Sequence, residues 1–140
     1  MSRILSIDYG RKRVGLAVSD PMGMIATGLE TIPTGEVWQF LKTYLDKEDV
    51  ETIVVGYPLQ MNNQPSESLK YIDPFMVKLK KEYSEMEILM VDERFTSKMA
   101  RQAMLDGGVK KKDRRNKALV DKLSAVIILQ THLDSVSRKL

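Results

Sequence analysis

Three strand-like segments follow one another at the start of the chain, joined by connections too short for a helical crossover. Residues 3–8, 13–19 and 25–32 are rich in apolar and β-branched side chains, and glycine, proline and aspartate occur in the stretches between them. A parallel pair of strands needs a crossover of a dozen or more residues, whereas antiparallel neighbours need only a turn. The sequence therefore predicts an antiparallel meander.

Helical and strand-like segments alternate after this meander. Thr34 is predicted to be the N-cap of the first helix, because a polar threonine precedes Glu36 and a stripe of apolar residues at helical spacing. The predicted elements are, in order, a helix over 34–47, a strand over 53–56, a helix capped by Ser66 or Ser68 with a kink or late start at Pro74, a strand over 87–91, a helix from Thr96 or Ser97 to 107, and a helix over 117–135.

This order of elements predicts an α/β fold with a mixed five-stranded sheet. Right-handed crossovers place the fourth strand parallel to the first and the fifth strand beyond it, in the sheet order 3-2-1-4-5 with helices on both faces. That arrangement is the ribonuclease H-like topology. A length of 140 residues fits one such domain, over 1–140.

Carboxylates occur where parallel strands of this sheet would end. Asp8 ends the first strand, and Asp92 and Glu93 end the fifth, while Gly56 ends the strand between them. Open α/β sheets bind ligands at this edge. Asp121 lies near the start of the last helix on an apolar, core-facing stripe, so it needs a metal or a basic partner.

Each of these acids also has a simpler interpretation. Asp8 could belong to a turn, Glu93 could pair with Arg94 on the surface, and Asp121 could cap the helix or pair with a nearby lysine. Their joint occurrence at one predicted edge favours a metal site made of Asp8, Glu93 and Asp121. Carboxylates without cysteine favour Mg²⁺ or Mn²⁺, and two such ions support phosphodiester hydrolysis.

Basic residues are concentrated in two places. The 110–117 segment has six basic residues against Asp113 alone, whereas the chain as a whole has a formal net charge of +3. A local positive segment on a slightly acidic body indicates an anionic partner, although it could equally be a solvated connector. The residues predicted to contact nucleic acid are Arg11, Lys12, Arg13, Arg94, Lys110, Lys111, Lys112, Arg114, Arg115 and Lys117.

Composition excludes several classes of protein. The chain has no cysteine, which excludes disulfides, thiolate metal sites and cysteine nucleophiles. No apolar run has the length of about 18 residues that a membrane span needs, and no signal peptide precedes the first strand. We expect a cytoplasmic protein without a membrane partner, either a monomer or a homodimer.

Four segments resemble the motifs of the YqgF-type family, whose members are assigned as Holliday junction resolvases or as pre-16S ribosomal RNA nucleases. The segments span nearly the whole chain in the order of the family's motifs. The chain departs from the pattern in two places: Met61-Asn62-Asn63 replaces the usual Asp-Gly-like turn, and Ser124 stands where alanine is common. The matching segments are residues 8–20, 55–59, 92–97, and 121–125 together with 128–130.

This resemblance implies a ribonuclease H-like, metal-dependent endonuclease that acts on structured nucleic acid. The acidic residues of the family fall on Asp8, Glu93 and Asp121, and the resemblance is the reason for preferring Glu93 over Asp92. Family usage favours maturation of 16S ribosomal RNA over resolution of four-way DNA junctions. The alternatives are a non-catalytic nucleic-acid-binding module of the same fold and a sugar-kinase-like protein, for which 140 residues are too few.

Overall fold

The structure is a computed structural model, and it describes residues 2–57, 69–92, 102 and 117–138. The first three strands form the predicted meander, and two further strands and three helices follow in the described part of the chain. In chain order the elements are β1 (Arg3–Tyr9), β2 (Arg13–Ser19), β3 (Ala26–Pro33), a 3₁₀ turn (Thr34–Glu36), α1 (Val37–Lys47), β4 (Val50–Tyr57), α2 (Leu69–Glu82), β5 (Glu87–Asp92) and α3 (Lys117–Arg138).

The five strands form one mixed sheet in the order β3-β2-β1-β4-β5. Strand β1 pairs antiparallel with β2 and parallel with β4, and β5 pairs parallel with β4. The predicted sheet order and strand directions are therefore confirmed. The carboxyl ends of β1, β4 and β5 lie along the same edge of this sheet, which we call the carboxyl edge.

Side-chain alternation along β1 divides the sheet into two packed faces. Leu5 and Ile7 are fully buried in the larger core, together with residues of α1 and α2. Ile4 packs on the opposite face against Ala125 and Leu129 of α3. Helices therefore cover both faces, as predicted, and the even-numbered residues of β1 point toward α3.

Two local predictions are corrected by the structure. Thr34 does not cap α1: it lies in the 3₁₀ turn, and its hydroxyl donates to the carbonyl oxygen of Gly10 at 2.7 Å. Strand β4 begins at Val50 rather than at residue 53, because Val50 already pairs with Arg3 of β1.

Several other sequence predictions lie outside the described residues. The cap of the second helix at Ser66 or Ser68 falls there, and so does the helix predicted from Thr96 or Ser97 to 107, except for Gln102, which is helical. Pro74 lies inside α2, which is already helical at Leu69, so the helix does not start late at the proline. None of the helices in the described ranges is long and apolar enough to cross a membrane.

Candidate active site at the carboxyl edge

Asp8 lies near the end of β1 on the α3 face of the sheet. Ser6, two residues earlier, donates its hydroxyl to the carbonyl oxygen of Ala125 in α3 at 2.7 Å. Because side chains in a strand alternate, Asp8 projects on the same face as Ser6. Its backbone pairs with Gly15 of β2, and the residue is half-buried.

Gly15 brings helix α3 directly onto the sheet beside Asp8. A Cβ atom at Gly15 would overlap the carbonyl oxygen of Asp121 and would lie 2.6 Å from the carbonyl carbon of the same residue. Only a glycine permits this approach of a helix backbone to a strand. The backbone of Asp121 therefore lies over the same position of β2 that pairs with Asp8, so the two residues are neighbours on either side of Gly15.

Asp121 is ion-paired with Arg13. The Nε atom of Arg13 donates to Oδ2 of Asp121 at 2.8 Å, which is a short, charge-assisted bond. The two side chains are 36% and 24% exposed, respectively. Arg13 and Gly15 are two residues apart on β2, so both face α3. Asp121 thus has a basic partner, as the sequence required, and this partner lies on β2.

Asp92 lies on the opposite face of the sheet from Asp8. It pairs in register with Tyr57 of β4, whose hydroxyl donates to Asp73 of α2 at 2.7 Å. Residues in register on neighbouring strands project on the same face, so Asp92 points toward the α2 side and away from Asp8. Glu93 and Arg94 lie outside the described residues.

The predicted phosphate-binding turn connects β1 to β2 next to Asp8. Arg11 and Lys12 are exposed, and the guanidinium carbon of Arg11 lies 5.4 Å from the centre of the Tyr71 ring, a cation–π contact. The turn is held by the backbone of Thr34, whose N–H donates to the carbonyl oxygen of Lys12 at 3.0 Å. Lys117 is the first residue of α3. The other predicted basic residues, outside the described ranges, are Lys110, Lys111, Lys112, Arg114 and Arg115.

Two tyrosines near this edge remain protonated to a higher pH than usual. Burial raises the pKa of Tyr9, whose ring stacks on Phe75 with centroids 4.2 Å apart. The hydrogen bond to Asp73, together with partial burial, raises the pKa of Tyr57. Both groups act as neutral phenols that help fix the ends of β1 and β4 against α2.

The donor set at this edge fits a divalent cation. Asp8 and Asp121 supply carboxylate oxygens, which are the ligands that Mg²⁺ and Mn²⁺ prefer. The Asp121 carboxylate is already bound to a cation, the guanidinium of Arg13. Within the described ranges no three histidine, cysteine, aspartate or glutamate residues are grouped, and the third predicted ligand, Glu93, falls outside those ranges.

His132 lies far from these acids. It lines a groove of about 540 Å³ together with Ile4, Thr52 and Glu87, near the starts of β1, β4 and β5. The carboxyl edge is at the other ends of the same strands. His132 is therefore a half-buried histidine of this groove and not part of the candidate site.

Sequence reasoning missed the contact between Arg13 and Asp121 and the packing role of Gly15. The two partners of the ion pair are 108 residues apart in the chain, and Arg13 was assigned to phosphate with its two basic neighbours. A usable signal was present, since a glycine inside a strand often marks the close approach of another backbone.

The fold defines a structural class of protein. The structure is similar to that of RuvC from Thermus thermophilus in complex with a Holliday junction substrate, with a TM-score of 0.56 and 17% identity, over 98% of this chain and 96% of that chain. A second structure of RuvC from the same organism matches with a TM-score of 0.55 and 15% identity, over 97% and 96% of the two chains. The chain therefore has the RuvC-type, ribonuclease H-like fold.

Sequence comparison identifies the family within that class. Residues 2–135 match the model of the RuvX family, described as Holliday junction resolvase, and the chain belongs to this family. A protein of Phocaeicola vulgatus named "Putative pre-16S rRNA nuclease" is 58% identical over 135 residues, which cover 96% of this chain and 97% of the relative. A protein of Bacteroides thetaiotaomicron with the same name is also 58% identical, over 96% and 98% of the two chains. The resemblance drawn from the sequence motifs is confirmed.

Proposed function

We propose that this chain is a divalent-metal-dependent endonuclease that cleaves structured RNA, with the precursor of 16S ribosomal RNA as its substrate. The observation that carries the proposal is the placement of Asp8 and Asp121 around Gly15, at the carboxyl edge of a RuvC-type sheet. Family membership supports nuclease chemistry at this edge, and the names of relatives more than half identical to this chain support the RNA substrate.

Three carboxylates would hold the metal in this proposal. Asp8 and Asp121 are neighbours on the α3 face. Glu93 is included because the motif resemblance puts an acidic residue of the family at this position. When bound, Mg²⁺ or Mn²⁺ would supply an activated water and stabilise the leaving oxygen of the phosphodiester. We propose two ions, as in other nucleases that lack a protein nucleophile.

Basic side chains on both sides of the acids would position the substrate. Arg11 and Lys12 are exposed in the turn that follows Asp8, where they can reach phosphates on either side of the scissile bond. The 110–117 segment ends at the first residue of α3, and Asp121 lies in the first turns of that helix. Contacts of this kind fix the register of the nucleic acid, while shape and unpaired bases select RNA sites.

Resolution of four-way DNA junctions is the second candidate function. It is favoured by the description of the matching family and uses the same acids. Symmetric cleavage of two strands requires two copies of the site related by a twofold axis. A chain that stays monomeric at micromolar concentration with its substrate would favour the RNA function.

A cleavage panel tests the proposal. The purified chain is incubated with a precursor ribosomal RNA fragment, single-stranded RNA, duplex DNA and a four-way DNA junction, each with Mg²⁺, Mn²⁺ or a chelator. We expect metal-dependent cleavage of the precursor RNA. Asp8→Asn and Glu93→Gln are expected to lower the single-turnover rate by at least about a thousandfold, because each removes a charged ligand.

Asp92→Asn is the matched control for these variants. It removes the carboxylate next to Glu93 in the sequence, but the side chain at position 92 projects toward α2. We expect cleavage by this variant within about threefold of the unmodified chain, a change of less than ~1 kcal/mol. Binding of every substrate without cleavage, unchanged in Asp8→Asn and in chelator, would contradict the nuclease and favour a binding module.

A further inference from the structure

Arg13 is the basic residue of the turn region that contacts the acidic site itself. Its Nε lies 2.8 Å from Oδ2 of Asp121, whereas Arg11 and Lys12 are exposed. We infer that Arg13 is a positioning residue: it holds the Asp121 carboxylate in the metal-free chain and competes with a divalent cation for that carboxylate. The inference rests on the proposed function, since it takes Asp121 as a metal ligand.

The surroundings of the ion pair restrict both partners. Gly15 allows the backbone of Asp121 to pack directly on β2, and this contact fixes the position of the Asp121 Cα atom. Arg13 lies two residues from Gly15 on the same strand and the same face, and its backbone pairs with Pro33 of β3. The pair therefore joins a strand and a helix whose backbones are already ordered. The guanidinium orients the carboxylate without a further loss of backbone conformational entropy.

The guanidinium acts as a stand-in for a metal ion at this carboxylate. A cation beside one of two neighbouring carboxylates offsets the repulsion between them. In the metal-free chain the Arg13 guanidinium is such a cation for Asp121. The same positive charge then repels a divalent cation that binds to Asp121. Removal of the charge should weaken the metal-free fold and strengthen metal binding, whereas loss of a phosphate contact alone would change neither in the absence of nucleic acid.

The experiment measures metal binding without any nuclease reaction. Mn²⁺ is titrated into the full chain free of nucleic acid, and the bound ion is followed by electron paramagnetic resonance. The variants are Arg13→Gln, Arg13→Lys, Asp121→Asn and the double variant R13Q/D121N. Arg3→Gln is the matched control, because Arg3 forms an ion pair with Glu48 at 3.5 Å, with side chains 33% and 36% exposed, at the other end of β1.

We expect Arg13→Gln to bind Mn²⁺ about tenfold more tightly than the unmodified chain, equivalent to ~1.4 kcal/mol. Arg13→Lys keeps the charge and should stay within about twofold of the unmodified affinity, and Arg3→Gln should do the same. In the Asp121→Asn background, Arg13→Gln should change nothing, because the shared carboxylate is gone.

Thermal unfolding gives a second readout. In chelator, Arg13→Gln should melt below the unmodified chain, and saturating Mn²⁺ should shrink that difference, because a ligand that binds the folded state stabilises it by mass action. A variant that only lost a structural ion pair would keep the same difference with and without metal.

The outcomes separate this inference from the proposed function. If the unmodified chain binds Mn²⁺ and Asp8→Asn abolishes binding, the metal site stands. If Arg13→Gln then binds Mn²⁺ with unchanged or weaker affinity, the inference that Arg13 competes with the metal is overturned, and the proposed metal site is kept. If the unmodified chain binds no Mn²⁺ at all, both the proposed metal site and the competition are overturned.

Discussion

Two buried serines lie between the sheet and α3, Ser6 on β1 and Ser124 on the helix, and their hydroxyls differ in what they contact. Ser6 donates its hydroxyl to the carbonyl oxygen of Ala125 at 2.7 Å, whereas the Ser124 hydroxyl, which is also buried, has no hydrogen-bond partner among the described residues. A buried polar group without a partner carries a desolvation cost that no bond offsets. Ser124 is also the position where the resemblance expected alanine.

We predict that Ser124→Ala raises the free energy of unfolding by about 1 kcal/mol, because it removes an unpaired hydroxyl and keeps the methyl-sized volume. Ser6→Ala is the matched variant with a bonded hydroxyl, and it should lower that free energy by about 1 kcal/mol, since the carbonyl of Ala125 loses its donor. Urea denaturation of both variants measures the difference. Equal destabilisation by the two would contradict the assignment of Ser124.

At the scale of elements, the packing of α3 on β2 determines where Asp121 lies. The helix runs antiparallel to β1: Asp121 lies over Gly15 beside Asp8, and Ala125 lies over Ser6. The placement of the candidate site therefore depends on one glycine. A side chain at this position would push the helix away from the sheet and carry Asp121 with it.

We predict that Gly15→Ala lowers the free energy of unfolding by about 2 kcal/mol or more, the range of an overpacked core, because the new Cβ overlaps the backbone of Asp121. The same variant should also lose Mn²⁺ affinity, since the carboxylate moves. Gly35→Ala is the control, because a Cβ there has no heavy atom within 4 Å. We expect that control to stay within about 0.5 kcal/mol in the same urea titration.

Sequence predicted the sheet better than it predicted the contacts that cross it. The order of strands followed from connection lengths, which are local. The early start of β4 was missed because Glu51 and Thr52 are polar, although Thr52 is buried and its hydroxyl lies 3.4 Å from Glu87 on the neighbouring strand. The Thr34 hydroxyl reaches Gly10, 24 residues away, in place of a local cap. Such partners are chosen by tertiary packing, which composition does not reveal.

In the candidate site, too, the positions of residues along the chain were predictable, whereas the contacts between distant residues were not. Strand ends and helix spacing predicted Asp8 and Asp121 at one edge, and the register of β4 and β5 shows that Asp92, at the same edge, lies on the opposite face of the sheet. The role of Arg13 could not be derived, because three adjacent basic residues look alike in sequence. Strand alternation, known only once the register was fixed, directs Arg13 toward α3.

The whole molecule has its positive charge in one region. The 110–117 segment has a net charge of +5, from six basic residues and one acidic residue, and the rest of the chain has 16 basic and 18 acidic residues, a net charge of −2. A body of this charge would repel a phosphate backbone weakly. Nucleic-acid affinity should therefore depend on this segment and on the turn beside Asp8, more than on the net charge of +3.

Reversal of three charges in the segment tests this dependence. In the variant K111E/K112E/R114E, the slope of log affinity against log salt should become less steep by about 2, since each lost phosphate contact removes 0.7–0.9. The control K42E/K80E/K81E reverses three exposed lysines on α1 and α2 and lowers the formal net charge by the same six units. Its slope should stay close to that of the unmodified chain if contacts at the segment determine affinity. Equal flattening in both variants would show that only the overall charge matters, and the segment would then be a solvated connector.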